Sequence, residues 1–381
     1  MSSKLSGNIK EHKAAEVAID ARWLHLGGLG TYAYHLIAGF AQHGNGFTLR
    51  AIVNKRNAER VAPFCARVVI AEASMYSLRE QLEIGSAAKG ADLLHVPHYN
   101  APLLYRGPLV VSIHDVIHIT DPEYRRGVRA WFYARPVLNL VARRADHIVT
   151  VSEYSKAQIV EQLGVPSSKV TAIYNGVNSQ FCCVERNDAL AAVSRALGLT
   201  APYILYVGNL KPHKNVSALL QAFALLRKRQ GISQELLIIG DDARWGCVRR
   251  EECFRLGINE TTHFVPHVAQ ELLPKIYAAA DLLVMPSKIE GFGLPVLEAM
   301  ACGTPVVCSR ATSLPEVGGD AVLYFDPSNP EELADTIKRV LNSRALQENL
   351  RARGLERAKR FTWEDSTRKH VELYRRLLGQ N

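Results

Sequence analysis

Short apolar segments rich in valine and isoleucine alternate along the chain with longer segments in which apolar residues recur every three to four positions. Segments that are apolar throughout are typical of strands buried on both faces of a parallel sheet, and the longer segments predict the helices that cover it. The predicted strands form two series, EVAIDA, FTLRAIV, ARVVIA, DLLHVPH, LVVSIHD, HIVTVS and KVTAIY, then YILYVGN, ELLIIG, THFVPH, DLLVMPS, PVVCS and AVLYFD. The pattern therefore predicts an α/β protein with two doubly wound parallel sheets.

The length of the chain agrees with two domains, because 381 residues are more than one hydrophobic core usually serves. We predict a flexible lead over residues 1–14, an N-terminal domain over 15–183 and a C-terminal domain over 184–361. Residues 362–381 predict a final helix that begins near Thr362.

Composition restricts where the protein is expected in the cell and which ligands it is expected to bind. No apolar run approaches the roughly 20 residues of a membrane span, and the polar lead lacks the apolar centre of a signal peptide, so a cytoplasmic protein is expected. Seven cysteines without a CxxC spacing predict free thiols. The net charge of +9 is compatible with phosphorylated substrates or an anionic membrane surface, whereas no nucleic-acid-binding module is recognisable.

Ligands of doubly wound sheets bind beyond the carboxyl ends of the strands, so residues at these positions are the candidates for chemistry. The first strand leads into a glycine-rich turn with Gly27, Gly28 and Gly30, followed by a helix. Amides of such a turn can approach an anion, although glycines that only permit a tight turn are the alternative. The spacing differs from the GxGxxG of dinucleotide enzymes.

Two further strand ends carry polar groups. His114 and Asp115 close one strand, with His118 shortly after, and a histidine there can hydrogen-bond a sugar hydroxyl or a phosphate oxygen. A core or capping histidine is the alternative. Lys211 and Lys214 lie between a strand and a helix, where lysine meets phosphate as a point charge, unless both are ordinary surface lysines.

The stretch EGFGLPVLE places two glutamates around two glycines and a proline. A short helix is predicted from about Leu294 to Cys302, with Glu290 in the loop before it and Glu298 near its beginning. The free amides of Gly291 to Leu294 would hold an anion, and the carboxylates would bind hydroxyls such as those of a sugar and a ribose. We infer a ligand with a sugar, a nucleoside and phosphates between them.

Together these segments resemble the retaining glycosyltransferases of family 4, which have the GT-B fold. The context EGFGLPVLEAMACGTPVV contains the family's E-x7-E motif, and the resemblance extends to GGLGTY, IHD, VSEYSK, IYNGV, KPHKN and SLPEVGGDAVLYFDP. Within the family the chain is most similar to bacterial mannosyltransferases of polysaccharide or O-antigen synthesis. The resemblance implies two Rossmann-like domains facing a cleft, with the last helix crossing back to the N-terminal domain.

The resemblance also implies residue roles. Glu290 would hold hydroxyls of the donor sugar, and His114 would line the sugar pocket near the reacting carbon. Lys214 would neutralise the diphosphate, and Glu298 would bind the ribose. The other donor-binding residues would be Gly28, Gly30, Asn209, Val265, Gly291, Phe292, Gly293 and Leu294, and Asp115 and His118 would lie on the acceptor side.

One position departs from the family's pattern, because Asn209 stands where many members have an arginine. Either Lys211 or His213 would then supply the second positive group, or the diphosphate would be held more weakly.

The implied reaction transfers a hexosyl group, preferably mannosyl, from a nucleotide-diphosphate sugar to a hydroxyl of a glycan or of a polyprenyl-diphosphate-linked saccharide. GDP-mannose is the expected donor, with a UDP-sugar second. No metal or other cofactor is expected, since no Asp-x-Asp site is present and Asp241 and Asp242 are adjacent. The alternatives are a glycosidase with Glu290 and Glu298 as its carboxyl pair, and a non-catalytic protein that binds sugar nucleotides.

Residues 123–145 combine basic and aromatic side chains. Such a helix either rests on an anionic membrane surface or packs on the sheet with a solvated basic face. The residues concerned are Arg125, Arg126, Arg129, Trp131, Phe132, Tyr133, Arg135, Arg143 and Arg144.

Overall fold

The structure of the protein is a computed structural model that describes residues 14–25, 27–44, 46–121 and 128–380; within them, the side chains of residues 128–134 and 230 are not described. Contacts divide the described chain into two compact units. The first unit contains the residues up to Val111, Arg144–Asp146 and the chain from Thr367 onward. The second contains Ser112–Arg143 and His147–Ser366.

A seven-stranded sheet is formed by the first series of strands, in the order β3-β2-β1-β4-β5-β6-β7. The pairs with a described register are parallel, as expected for strands that are apolar throughout. Its strands are β1 (Ala15–Asp20), β2 (Phe47–Val53), β3 (Arg67–Ile70), β4 (Leu93–Val96), β5 (Leu109–Ser112), β6 (His147–Thr150) and β7 (Val170–Ala172).

A six-stranded parallel sheet follows, in the order β10-β9-β8-β11-β12-β13. Its strands are β8 (Tyr203–Val207), β9 (Glu235–Ile239), β10 (Thr262–Val265), β11 (Leu282–Met285), β12 (Val306–Ser309) and β13 (Leu323–Phe325). The fold class expected from the sequence, two doubly wound parallel sheets, is confirmed.

Helices follow most strands, and apolar side chains from both helices and strands form the buried core of the second unit. The α-helices are α1 (Gly27–His43), α2 (Ala58–Val61), α3 (Leu78–Ala87), α4 (Ile117–Thr120), α5 (Val128–Arg144), α6 (Glu153–Leu163), α7 (Arg186–Leu197), α8 (Val216–Gln230), α9 (Ala243–Leu256), α10 (Leu273–Ala279), α11 (Leu294–Ala301), α12 (Leu314–Gly318), α13 (Pro330–Leu341), α14 (Arg344–Ala358) and α15 (Trp363–Leu377).

The glycine-rich segment after β1 differs from its prediction as a turn. Helix α1 begins at Gly27, so Gly28 and Gly30 lie in its first turn. A side chain at Gly30 would collide with the backbone of Leu24, since a Cβ there would lie 2.4 Å from the Leu24 carbonyl oxygen. The preceding backbone therefore packs directly against the start of the helix.

The last helix begins at Trp363, next to the predicted Thr362, and its C-terminal part belongs to the first unit. His370 and Tyr374 are fully buried there. The Tyr32 hydroxyl on α1 hydrogen-bonds His370 Nε2 at 2.8 Å, and the Tyr374 hydroxyl hydrogen-bonds His95 Nδ1 on β4 at 2.5 Å. These buried polar bonds tie the helix to α1 and β4. The predicted domain limits stay a prediction.

Among the helices of the described chain, none is both long and apolar enough to cross a membrane. All seven cysteines are free thiols. Arg125 and Arg126 lie outside the described residues, as do the side chains of Arg129, Trp131, Phe132 and Tyr133.

Candidate functional site

Glu290 is held in the loop between β11 and α11, where its residue is only 8% exposed. Lys214 Nζ donates to both carboxylate oxygens, at 2.7 and 2.8 Å, and Ser287 Oγ donates to one of them at 2.7 Å. The Glu290 amide donates to Thr312 Oγ1 at 2.9 Å. A buried carboxylate with this many partners is fixed in position rather than free to rotate.

Lys214 ends a short 3₁₀ helix, Pro212–Lys214, that follows β8. Asn215 comes next with a φ of 56°, a left-handed conformation that asparagine tolerates. Its Nδ2 donates to the carbonyl oxygens of Pro286 and Pro327 at 3.0 and 2.8 Å, which fastens the turn to the loop of Glu290. An ammonium has three hydrogens, so the two bonds to Glu290 leave one donor for a ligand.

The N-terminus of α11 presents free backbone amides. Ser313 Oγ donates to the carbonyl oxygens of Glu290 and Phe292, at 2.9 and 3.1 Å, which orients the loop. Gly293 precedes the helix with a φ of 104°, which only glycine adopts readily. The amides of Gly291 to Leu294 donate to none of the residues that the structure describes. With the helix dipole they form a site suited to an anion.

The residues that follow β5 approach the Glu290 loop, and both segments belong to the second unit. A Cβ at Gly291 would lie 2.7 Å from the carbonyl oxygen of His114, so only glycine permits this approach. Ser155 Oγ on α6 donates to the Gly291 carbonyl oxygen at 3.4 Å. Asp115, next to His114, accepts a hydrogen bond from the Ile117 amide at 3.1 Å. The structure therefore brings His114 and Asp115 to the loop of Glu290.

A cavity of about 230 Å³ lies between these elements. Asp115 and Glu290 supply its carboxylates. Its other lining residues are Val116, Ile117, Thr120, Tyr154, Ser155, Gln158 and Ile289. Among the lining residues that the structure describes there is no lysine or arginine, so the cavity offers hydrogen-bonding groups for hydroxyls and no cation for a second phosphate.

Four basic side chains lie within electrostatic reach of one another. Burial, together with the charges of Lys214, Lys211 and His118, lowers the pKa of His213 to about 3. Burial also lowers the pKa of His118, against the charge of Asp115, which raises it. His213 is therefore neutral near pH 7, so it does not supply the second positive charge. Lys211 as the second cation and weaker binding of the diphosphate both stay predictions.

Asn209 stabilises the turn between β8 and α8 through two hydrogen bonds. Its Oδ1 accepts from the Lys211 amide at 3.2 Å, and its carbonyl oxygen accepts from the Tyr206 hydroxyl at 2.7 Å. The asparagine thus holds the turn that presents Lys211. Val265 ends β10, and its carbonyl oxygen accepts from the Gly240 amide at 3.0 Å.

Glu298 lies in the middle of α11 rather than near its beginning. The Tyr277 hydroxyl donates to its Oε2 at 2.7 Å. Burial raises the pKa of Glu298 to about 7, although the hydrogen bond from Tyr277 lowers it. The residue as a whole is half-buried. Its carboxyl group thus changes charge within the physiological pH range.

Nucleotide affinity is expected to follow this ionisation. If Glu298 binds the ribose, its ionised form accepts both hydroxyls, so affinity for a nucleoside diphosphate should rise about tenfold from pH 6 to pH 8. The folded pKa is raised, so this group stabilises the fold at low pH, and that stability is lost as pH rises through about 7.

Calorimetric titration over this pH range tests the prediction. Glu298→Gln is the matched control, since it removes only this titrating group. The nucleotide affinity of the variant should keep only the pH dependence that comes from the phosphate and from the histidines. Equal pH dependence in both proteins would show that Glu298 does not contact the nucleotide.

The predicted residues fall into both units. Gly28 and Gly30 belong to the first unit, and the other predicted residues, His114, Asp115, His118, Asn209, Lys214, Val265, Gly291, Phe292, Gly293, Leu294, Glu290 and Glu298, belong to the second. In the described chain, no three His, Cys, Asp or Glu residues gather as metal ligands would. Asp242 caps α9, where its Oδ1 accepts from the Trp245 amide at 3.0 Å.

Three supporting residues were not found from the sequence. Thr312 and Ser313 hold the Glu290 loop, and Tyr277 holds Glu298. A threonine and a serine before a Leu-Pro pair do signal a turn, but which loop they hold depends on strand order, which no local pattern contains.

Two family profiles match the chain and together cover most of it. Residues 26–181 match the family described as Glycosyltransferase Family 4, and residues 193–357 match Glycosyl transferases group 1.

Relatives agree with these profiles. O-antigen chain mannosyltransferase B of Escherichia coli is 35% identical over 292 residues, 75% of this chain and 74% of the relative. D-inositol 3-phosphate glycosyltransferase of Nocardioides is 31% identical over 71% of this chain, which spans 62% of that protein. Among solved structures, Anabaena HepE in complex with UDP-glucose superimposes with a TM-score of 0.77 at 18% identity, covering 94% of this chain and 99% of that one. The fold is GT-B, and the chain belongs to glycosyltransferase family 4.

Proposed function

We propose that this protein is a retaining hexosyltransferase that moves a mannosyl group from GDP-mannose to a hydroxyl of a saccharide acceptor in cell-surface polysaccharide synthesis. The observation that carries the proposal is the pair formed by Glu290 and Lys214 beside the free amides of Gly291 to Leu294. A carboxylate for sugar hydroxyls, a cation with one spare donor and a helix N-terminus suit the two halves of a sugar diphosphate.

The proposed reaction breaks the bond between the anomeric carbon and the diphosphate oxygen. Negative charge develops on the leaving diphosphate, and Lys214, Lys211 and the amides before α11 stabilise it. The acceptor hydroxyl attacks from the same face, forms the new glycosidic bond, and passes its proton to the departing phosphate oxygen. Configuration is then retained. The positive charge comes from the chain itself, and we expect no metal requirement, so activity should be unchanged by EDTA.

The acceptor is proposed to present an uncharged sugar to the cavity lined by Asp115 and Glu290. Its carboxylates, hydroxyls and the Gln158 amide fit neutral hydroxyls, while an acceptor phosphate in the cavity would meet two carboxylates. This favours a glycan end over a phosphorylated acceptor such as the one named for the Nocardioides relative.

The mannosyl donor rests on the Escherichia coli relative, which is named a mannosyltransferase. A UDP-sugar is the second candidate, since UDP-glucose is bound in the HepE structure. The glycosidase alternative is not supported, because the chain belongs to a transferase family. A non-catalytic protein that binds sugar nucleotides would use the same contacts. A transfer assay distinguishes it from an enzyme, because a pure binding protein has no turnover.

Calorimetric titration with GDP and UDP tests the proposed donor site. One nucleotide should bind, and Lys214→Ala should weaken its binding by about 1 to 3 kcal/mol, because one charge-assisted bond to phosphate is lost. Lys228→Ala, an exposed lysine on α8, is the matched control and should bind normally. Tight UDP binding without GDP binding would overturn the GDP-mannose proposal, and binding without turnover of any sugar nucleotide would favour the non-catalytic alternative.

A further inference from the structure

The surface around α3 exposes large apolar side chains that belong to no core. Leu78 is 88% exposed, Leu82 is 65% exposed and Leu104 is 70% exposed, and Ile70 at the end of β3 is also exposed. Leu78 and Leu82 are four residues apart on α3, so they lie on one face of the helix. A cluster of exposed leucines on one face of a protein marks an interaction surface.

Basic side chains surround these leucines. Arg67, Lys89 and Arg106 are exposed and form no ion pair with a carboxylate of the described chain. Arg79 is paired with Glu83, its Nε lying 3.0 Å from Oε2. The surface therefore carries unpaired positive charge next to exposed apolar groups.

Two hollows make this surface continuous. One, of about 600 Å³, is lined by Arg67, Ile70 and Arg79, and the other, of about 500 Å³, by Leu104 and Arg106. Leu82 and Lys89 line both hollows, so the apolar and basic groups belong to a single face on the first unit. We call this the α3 face.

We propose that the α3 face docks the protein on an anionic membrane surface. Apolar side chains that enter the boundary between headgroups and acyl chains, flanked by unpaired lysine and arginine, form the arrangement that binds anionic lipid. None of the side chains named for this face comes from residues 123–145. Within that stretch Arg144 has a structural role, since its Nε donates to the Tyr105 carbonyl oxygen at 2.9 Å and its Nη2 donates to the Gly107 carbonyl oxygen at 2.8 Å.

A second protein copy fits the α3 face less well. Two such faces in a symmetric dimer would bring their unpaired cations together. Strand addition at β3, which is at the edge of its sheet, is opposed by its short length and by the exposed Arg67. An anionic lipid surface neutralises the cations and covers the leucines at once.

Co-sedimentation with vesicles tests the proposal on the full chain. The protein should bind vesicles of phosphatidylcholine mixed with phosphatidylglycerol and not vesicles of phosphatidylcholine alone. Lys89→Gln and Arg106→Gln should each weaken the partitioning by about fivefold. Leu78→Ser with Leu82→Ser should weaken it by about tenfold or more, since the leucines leave the acyl boundary.

Matched controls come from the second unit. Phe254→Ser removes a side chain that is comparably exposed, and Lys228→Gln removes an exposed charge, so both should bind vesicles as the unchanged protein does. All α3-face variants should bind the donor nucleotide and melt at normal temperatures, because the replaced side chains are largely exposed.

Three results would overturn the proposal. The first is absence of binding to mixed vesicles, and the second is equal binding by the α3-face variants. The third is a light-scattering result in which the unchanged protein is a dimer and the Leu82→Ser variant is a monomer. That result would assign the face to a second copy. Because nucleotide binding is measured separately, failure here leaves the proposed transferase function untouched.

Discussion

Glu290→Gln is expected to lower kcat by about 10²- to 10³-fold while leaving the fold intact. The change keeps the size of the side chain but removes the charge that pairs with Lys214 Nζ at 2.7 and 2.8 Å. An amide cannot offer two acceptor oxygens at once, so either Lys214 or the sugar hydroxyl loses its partner. Lys214 is then free to bind the phosphates in other geometries, and the donor is held out of alignment.

A glutamate-to-glutamine substitution elsewhere in the second unit distinguishes an effect on catalysis from an effect on stability. Glu252 is as buried as Glu290, at 8% exposure, and pairs with Arg249 at 2.7 Å, and neither is a predicted site residue. Glu252→Gln should therefore destabilise the protein to a similar degree but retain its turnover.

Steady-state transfer assays with a sugar nucleotide and thermal melting of both variants provide the comparison. Equal losses of turnover in the two variants would mean that Glu290 serves only the fold. A normal kcat for Glu290→Gln would remove this residue from the reaction.

Arg22→Met is expected to lower the free energy of unfolding of the first unit by about 3 to 5 kcal/mol. Arg22 follows β1 and is 1% exposed. Its Nε and Nη2 donate to Asp20 at 2.9 and 2.8 Å, and Nη2 also donates to Glu80 at 2.6 Å. Its Nη1 donates to the Ala73 carbonyl oxygen at 2.8 Å.

The cost arises because two buried carboxylates would be left without their cation. Burial alone lowers the pKa of Arg22, yet the hydrogen bonds and charges of Asp20 and Glu80 outweigh it, so the pKa is raised above its usual range. Burial already raises the pKa of Glu80. Without Arg22 this carboxyl would stay protonated to higher pH, so the loss of stability should grow as pH rises and shrink in acid.

An exposed ion pair supplies the control. Arg344 is almost fully exposed and pairs with Glu348 at 2.9 Å, so Arg344→Met should cost less than about 0.5 kcal/mol. Urea unfolding, with hydrogen exchange at the β1 amides as a local probe, measures both variants. A cost for Arg22→Met as small as that of the control, or one that does not depend on pH, would contradict this account.

Local patterns were sufficient for the elements and for part of the site. Each predicted apolar segment became a strand, because a segment that is apolar throughout is stable only when both sides are covered. The helix predicted over Leu294 to Cys302 ends at Ala301, one residue earlier, since proline and glycine restrict the backbone at its two ends. The sequence predicts a turn at the glycines after β1, whereas helix α1 begins there, because glycine that allows close packing at a helix start and glycine that allows a turn look alike in sequence.

The sequence by itself determined the succession of strands and helices, the loop with Glu290 and the family, since these depend on residues that are neighbours along the chain. Only the tertiary structure decided that Lys214 pairs with Glu290, that His213 is neutral, that Thr312 and Ser313 hold the loop, and that Arg22 joins two carboxylates. These features depend on distance and burial between residues far apart in sequence. The charge state and partners of a side chain are set by the groups that folding brings around it.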